Sequence, residues 1–401
     1  MRFKHMRTLD ALSRVLTARR AAEIQPFEVM EVLGRAQALE AEGRRVIHME
    51  IGEPDFTAPE PVVEAGVRAL REGRTAYTAA LGLPALREAI AQHYAARYGV
   101  EVPASRIAVT AGASGALLLL LALYVEPGAE VLVPDPGYPG YRHFVRAFEG
   151  VARALEVDPE SRFQPTLAGV QNAWRSATLG LLFGSPANPS GTLLAHGELG
   201  RIASFLAERG GLLVVDEIYQ GLVYGEAPRT ALGLPGDIAL VNSFSKYFCM
   251  TGWRLGWAVV PEASVRTFEK LAQHLFICAP AAAQHAALAA FLPETIDILE
   301  GRRREFERRR DFIVTALERA GLQVPVKPNG AFYVYADCSR FGSDAKRFAM
   351  ELLEREGVAA TPGVDFGVNG TRTRLRFAYT RAMADLEEAA SRIARFCAAL
   401  A

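Results

Sequence analysis

The 401-residue sequence has only four cysteines, Cys249, Cys278, Cys338 and Cys397, with no CxxC pair and no histidine cluster beside them. That scarcity excludes a disulfide framework and a cysteine-based zinc site, so no metal is expected, and it points to free thiols in a reducing cytoplasm. An excess of either charge is also missing: 45 Lys and Arg stand against 45 Asp and Glu. A balanced chain lacks the broad positive field that nucleic-acid binding needs, and no nucleic-acid partner is expected. Long hydrophobic runs are lacking as well. The longest, "GALLLLLALYV" at 115–125, is too short to span a bilayer, so no membrane partner is expected either. Internal repeats and low-complexity linkers are absent.

What is present is a chain that is half hydrophobic and too long for one small core. Residues 1–20, "MRFKHMRTLDALSRVLTARR", are basic with almost no acid and no apolar centre, which reads as an N-terminal arm rather than a secretory signal. From about residue 104, short β-rich runs alternate with helical stretches: "RIAVT", "EVLVP", "VARALEV", "TLGLLFG", "GLLVVDE", "IALVNSF" and "LGWAVV". Several are apolar throughout, as strands covered by helices on both faces are. This rhythm predicts an α/β fold whose large domain, residues 61–289, holds a mainly parallel sheet. Beyond residue 290 come a long charged helix, "EGRRREFERRRDFIVTALERAG", strand-like "AFYVYADC" and "RTRLRFAY", and two more helical segments. Residues 290–401 with 21–60 are predicted to form a smaller α+β domain. The arginines of "RRREFERRR" alternate with acids and read as a solvated helix face.

In open α/β sheets, ligands collect beyond the carboxyl ends of strands. Four such places carry suitable residues. After "RIAVT", small residues Gly112, Ala113 and Ser114 open an apolar helix, whose free amides and dipole suit a phosphate. After "EVLVP", Tyr138 in "DPGYPGY" offers a flat face to a ring. "GLLVVDEIYQ" ends a strand in Asp216 and Glu217. After "IALV", the stretch "NSFSKYFCMTGWRLGW" brings Ser243, Ser245, Lys246 and Arg254. A lysine leaving apolar surroundings has its ammonium form disfavoured, which makes the neutral amine a nucleophile toward aldehydes. Ser243, Arg254 and the 112–114 turn suit a phosphate, and Asp216 suits a protonated ring nitrogen. An aldehyde that carries both groups is pyridoxal phosphate. Taken alone, the stretch also admits a surface lysine at a strand end.

From about residue 21 to the C-terminus the sequence resembles the class I/II aminotransferases, enzymes of the fold-type I pyridoxal-phosphate superfamily. The resemblance rests on motifs in register: "IGEPDF" (51–56), "YTAALGLPALREAI" (77–90), "TAGASGAL" (110–117), "PGYPGY" (136–141), "SPANPSGT" (185–192), "DEIY" (216–219), "SFSKYFCMTGWRLGW" (243–257), "NGAFY" (329–333) and "RFAYT" (376–380). Cys249 departs from the pattern, where Ser, Gly or Ala is expected. The resemblance implies a seven-stranded large domain and a ping-pong transfer of an amino group from an L-amino acid to a 2-oxo acid, with 2-oxoglutarate the expected acceptor. It implies that Lys246 bonds the cofactor aldehyde and moves the substrate Cα proton, while Asp216 keeps the pyridine nitrogen protonated. Asn188 and Tyr219 bond the ring's phenolic oxygen and Tyr138 stacks on the ring. Gly112, Ala113, Ser114, Ser243, Ser245 and Arg254 hold the phosphate. Tyr77 reaches the phosphate of a neighbouring subunit, which makes a homodimer the expected unit. Arg376 clamps the substrate carboxylate with Asn188 and the backbone of Gly52. The period-two spacing of Arg372, Arg374 and Arg376 leaves the three equivalent; the "RFAY" match singles out Arg376.

Two other readings compete. A carbon–sulfur β-lyase shares the scaffold, but such lyases usually carry a histidine before the Asn-Pro that here follows Ala187. An aminotransferase-like sensor in a transcription regulator needs a basic winged helix ahead of the domain, and about twenty residues do not supply one. For the substrate side chain, residues 23–30, Leu81, Tyr141 and Phe366 are the expected lining by analogy, mostly apolar, which favours neutral or aromatic donors over aspartate. Arg142 and His143 are the candidate partners for a distal carboxylate and read as surface residues.

Overall fold

All seven apolar runs pair into a single sheet in the computed structural model, which describes residues 17–400. Most of the N-terminal arm therefore lies outside the described residues, and Arg19–Ala22 at its end form one helical turn. A two-residue strand, β1 (Ile47–His48), precedes the sheet. The sheet strands are β2 (Ile107–Thr110), β3 (Glu130–Asp135), β4 (Val151–Glu156), β5 (Thr178–Gly184), β6 (Leu212–Asp216), β7 (Ile238–Ser243) and β8 (Gly256–Val259). Their order is β2-β8-β7-β6-β5-β3-β4, parallel except for β8, which runs against both neighbours.

Every residue of β2, β6, β7 and β8 is buried, because helices cover both faces of the sheet there. β4 is an edge strand and leaves Val151 exposed. The helix Gly112–Tyr124 is apolar around its whole circumference, and eight of its residues are buried, from Gly112 to Leu121. Parallel pairing sets Gly184 of β5 beside Asp216 of β6, and Asp216 beside Val241 of β7. Three strands thereby deliver their carboxyl ends to one edge.

The C-terminal part forms β9 (Tyr333–Asp337), β10 (Val358–Ala359), β11 (Thr361–Pro362) and β12 (Arg374–Ala378). Strands β11, β12 and β9 make an antiparallel sheet, and β10 pairs in parallel with β1. Asp344 caps the helix Ala345–Glu356 by accepting from the Arg347 amide at 3.1 Å.

The helix Pro293–Arg319 corrects one expectation. Arg309 and Arg310 are buried, not solvated. Arg309 donates to Asp55 Oδ1 at 2.8 Å and to the Thr380 carbonyl at 2.8 Å, and stacks over Phe56. Arg310 stacks over Tyr224. These two positions fall on the helix's inward stripe with Phe306 and Ile313, and an alternation of charge signs carries no record of which face is inward. Among the described residues no helix is long and apolar enough to cross a membrane.

Candidate active site

The carboxyl ends of the central strands, the start of the 112–124 helix and loops from the C-terminal part enclose one cavity of about 410 Å³. Lys246 enters it three residues beyond β7, and its Nζ donates to the Gly52 carbonyl at 2.6 Å. Burial is the main cause that lowers its pKa to about 8. Glu53 and Asp216 oppose the shift, and the guanidinium groups of Arg376 and Arg254 add to it. A substantial fraction of neutral amine near physiological pH is therefore built in.

Asp216 ends β6 as a buried carboxylate. It accepts from the Ile218 amide at 3.0 Å and from the Tyr141 hydroxyl at 2.9 Å. Burial nevertheless raises its pKa to about 6, since those two bonds and Lys246 only partly offset the desolvation. A carboxylate held in this way is completed by a cationic group inside the cavity.

Ala113, Ser114, Ser243, Ser245 and Arg254 line the same cavity. The Ser245 amide donates to Ser243 Oγ at 3.0 Å, and the two hydroxyls lie 2.9 Å apart. Gly112 has φ +73°, and a Cβ there would stand 2.6 Å from Arg254 Nη2, so a larger residue would displace the guanidinium. Arg254 itself adopts a left-handed backbone, φ 54°, and donates to the Thr251 carbonyl at 2.9 Å. Hydroxyls, a guanidinium and helix amides make a cradle for a dianion. Amine, buried acid and cradle together fit a phosphate-bearing aldehyde with a basic ring nitrogen.

At the other side of the cavity, Arg376 Nη1 donates to Asn188 Oδ1 at 3.0 Å, and Nη2 to Thr361 Oγ1 at 3.1 Å and the Glu50 carbonyl. Its Nε is buried without a partner among the described residues. The guanidinium lies over the rings of Tyr333 (4.5 Å) and Phe366 (5.0 Å). Of the three arginines that the spacing left open, Arg376 alone lines the cavity. Arg374 pairs with Asp337 at 3.2 Å, and Arg372 precedes the strand.

Tyr219 and Tyr138 line the cavity as expected. The Tyr219 hydroxyl is 2.7 Å from that of Tyr333, a residue not assigned a role from the sequence although "NGAFY" contains it. A Cβ on Gly52 would meet that Tyr333 oxygen at 2.0 Å, which ties the glycine to the tyrosine pair. Glu50, Glu53, Thr361 and Asp365 are further residues of the site without an assigned role; Glu53 falls within "IGEPDF", and nothing local singles out the other three.

Some expected residues lie elsewhere. Tyr77 is 81% exposed and outside its own chain's cavity. Leu81 is buried against the 112–124 helix and does not face the cavity. Tyr141 lines it, but its hydroxyl is committed to Asp216, so it braces the acid rather than forming a side-chain pocket. Of residues 23–30, Phe27 and Val29 reach the wall, with Phe27 stacked on Tyr138 at 6.5 Å. Arg142 donates to the Asp365 carbonyl at 2.8 Å, and neither it nor His143 is on the wall. Cys249 has φ 56°, a backbone that favours glycine, which gives the departure at this position a physical meaning.

Comparison with known proteins identifies the family and the fold. The family model described as Aminotransferase class I and II matches residues 44–393. The chain is 38% identical to a valine–pyruvate aminotransferase of Mycobacterium tuberculosis, over 93% of this chain and 96% of that protein. It superposes on the crystal structure of an aminotransferase from M. tuberculosis with a TM-score of 0.93 at 36% identity, covering 96% of this chain and all of that one. The aspartate aminotransferase of Thermus thermophilus with maleate gives 0.90 at 34% identity, covering 95% of this chain and 100% of that chain.

Proposed function

The chain belongs to the class I and II aminotransferases, a pyridoxal-phosphate-dependent family that acts on amino acids and 2-oxo acids, and from that premise we propose how its residues divide the work. The reaction is a ping-pong transfer: an L-amino acid leaves as its 2-oxo acid, and a second 2-oxo acid then takes up the amino group. When bound, pyridoxal phosphate supplies an aldehyde carbon that reacts with amines and a ring that accepts the electron pair left at the substrate Cα. Lys246 is the base that removes and returns the Cα proton, and its pKa of about 8 suits that task. Asp216, braced by Tyr141, holds a proton on the ring nitrogen. Asn188 and Tyr219 would hydrogen-bond the cofactor's phenolic oxygen, and Tyr138 would pack against its ring.

Gly112, Ala113, Ser114, Ser243, Ser245 and Arg254 hold the phosphate. Arg376 pairs with the substrate α-carboxylate with help from Asn188 and the Gly52 backbone. The proposal includes a cytoplasmic homodimer in which Tyr77, exposed in the single chain, reaches the second copy's phosphate end. It also takes residues 21–60 with 290–401 as a smaller domain beside the larger one, 61–289. The family resemblance points to 2-oxoglutarate as acceptor, whereas the charges on the cavity wall bear on whether a dicarboxylate fits.

The observation that carries this reading is a desolvated lysine facing the same cavity as Asp216, the Arg254 cradle and Arg376. Purified protein is expected to show a cofactor absorbance band that is lost in Lys246→Ala, and that band should convert when a substrate amino acid is added. Covalent cofactor attached to another lysine would sink the assignment. Stoichiometric pyruvate released without any acceptor acid would replace transfer by β-elimination.

A further inference from the structure

Resting on the aminotransferase reading, we propose that Asp365 sets the substrate class: it excludes a second carboxylate, so that donor and acceptor are a monocarboxylic amino acid and a monocarboxylic 2-oxo acid. Asp365 sits in the short helical turn Gly363–Phe366 and lines the cavity. It is on the Arg376 side, because the next residue, Phe366, lies under the Arg376 guanidinium. Its Oδ1 accepts from the Glu28 amide at 3.0 Å, at the start of the helix Glu28–Ala41, and this bond holds the carboxylate in the wall that Phe27, Val29 and Phe366 also line.

Charge on the wall is unevenly matched. Among the described lining residues there are three cations, Lys246, Arg254 and Arg376. The first two serve the amine and the cradle, and Arg376 is matched by one α-carboxylate. The acids on the wall are Glu50, Glu53, Asp216 and Asp365. Glu50 bonds His48 at 2.7 Å, Glu53 bonds the Thr251 hydroxyl, and Asp216 is held by Tyr141 and Ile218. Arg142, which touches Asp365, reaches only its backbone carbonyl and is not on the wall. Arg376 and Arg142 both act on Asp365, but the first is taken up by the α-carboxylate and the second lies off the wall, so a distal carboxylate entering beside Arg376 meets a like charge without a lining cation of its own. An uncharged side chain meets Phe27, Val29, Ile51 and Phe366 instead.

The test uses the holoenzyme and Asp365→Asn, which keeps an acceptor for the Glu28 amide and removes the charge. Cofactor conversion is followed with L-valine and L-phenylalanine against L-aspartate and L-glutamate, and the binding of unreactive 3-methylbutanoate against succinate is followed by calorimetry. Wild type is expected to favour the monocarboxylates in both assays. Asp365→Asn should raise the dicarboxylate-to-monocarboxylate ratio roughly 10- to 100-fold, the size of one like-charge contact at intermediate dielectric. Aspartate or glutamate converting as fast as valine in wild type would overturn the proposal. So would an Asn variant with unaltered ratios, and if that variant does not fold, the wild-type succinate comparison decides. Should no amino acid convert the cofactor, the aminotransferase reading fails, and the ligand-binding arm still reports on Asp365 by itself.

Discussion

At the cofactor end of the cavity, Asp216, Ser243 and Lys246 extend from the parallel strands β6 and β7, and Ala113 and Ser114 begin a buried helix. At the substrate end, Phe27, Glu50, Gly52, Asp365 and Arg376 come from separate places in the chain, and all but Arg376 lie outside the strands. The first end inherits its geometry from one sheet, whose register places neighbouring strand ends side by side. The second depends on separate segments meeting through single bonds, such as Glu28 amide to Asp365 and Arg376 to the Glu50 carbonyl. On the roles proposed above, the cofactor end is thus the rigid one, built on the sheet, and the substrate end, built on loops, is the adjustable one.

Removing the base at the rigid end should have the largest effect. Lys246→Ala is expected to lower kcat roughly 10,000-fold, measured in single turnover, as loss of a positioned proton carrier does. At the adjustable end, Arg376→Ala should lower kcat/KM for the amino acid roughly 100-fold or more, through the loss of one partner in a desolvated charge pair. Arg374→Ala serves as its control: its largely buried pair with Asp337 lies away from the cavity, so its loss should lower stability while changing kcat/KM by about twofold at most. Equal effects from the two arginines would erase the distinction drawn between them.

Tyr141→Phe probes the brace of the rigid end. Its hydroxyl bond holds the Asp216 carboxyl down against burial, so its loss raises that pKa above about 6 and moves the acid limb of the pH–rate profile upward. The accompanying fall in kcat is expected to be roughly 10-fold, the size of a hydrogen bond to a charged group. An unmoved acid limb would reduce Tyr141 to packing. One further test needs no variant. Only the unprotonated amine of Lys246 attacks an aldehyde, so capture of pyridoxal phosphate by apoprotein, trapped with borohydride, should quicken as pH rises. Between pH 7 and 8 the increase should be roughly fivefold for a group titrating at about 8.

The rigid end was largely legible from the sequence. Each of the seven strands appears as an apolar run, and the residues just beyond them announce an amine, an acid and an anion cradle. The adjustable end was legible only in part: Arg376, Gly52 and residues 23–30 were named by resemblance, but Glu50 and Asp365 were not. Even at the rigid end, Tyr141 reads as an aromatic near a turn, and only the closeness of β6 turns its hydroxyl toward Asp216. Asp365 reads as an acid in a loop, and nothing nearby in sequence says that the first turn of the 28–41 helix lies against it. Arg309 and Arg310 were misplaced for a related reason: a mixed-charge helix does not state which residues face Asp55 and Tyr224.

The sequence by itself determined which side chains are available and where the strands end, because hydrophobic periodicity and the chemistry of Lys246, Asp216 and Arg254 are local properties. Only the tertiary structure decided the order β2-β8-β7-β6-β5-β3-β4, the burial of Arg309 and Arg310, and the placing of Asp365 on the same wall as Arg376. Those outcomes depend on contacts between residues hundreds of positions apart, such as Glu28 with Asp365, and local patterning holds no information about such pairs.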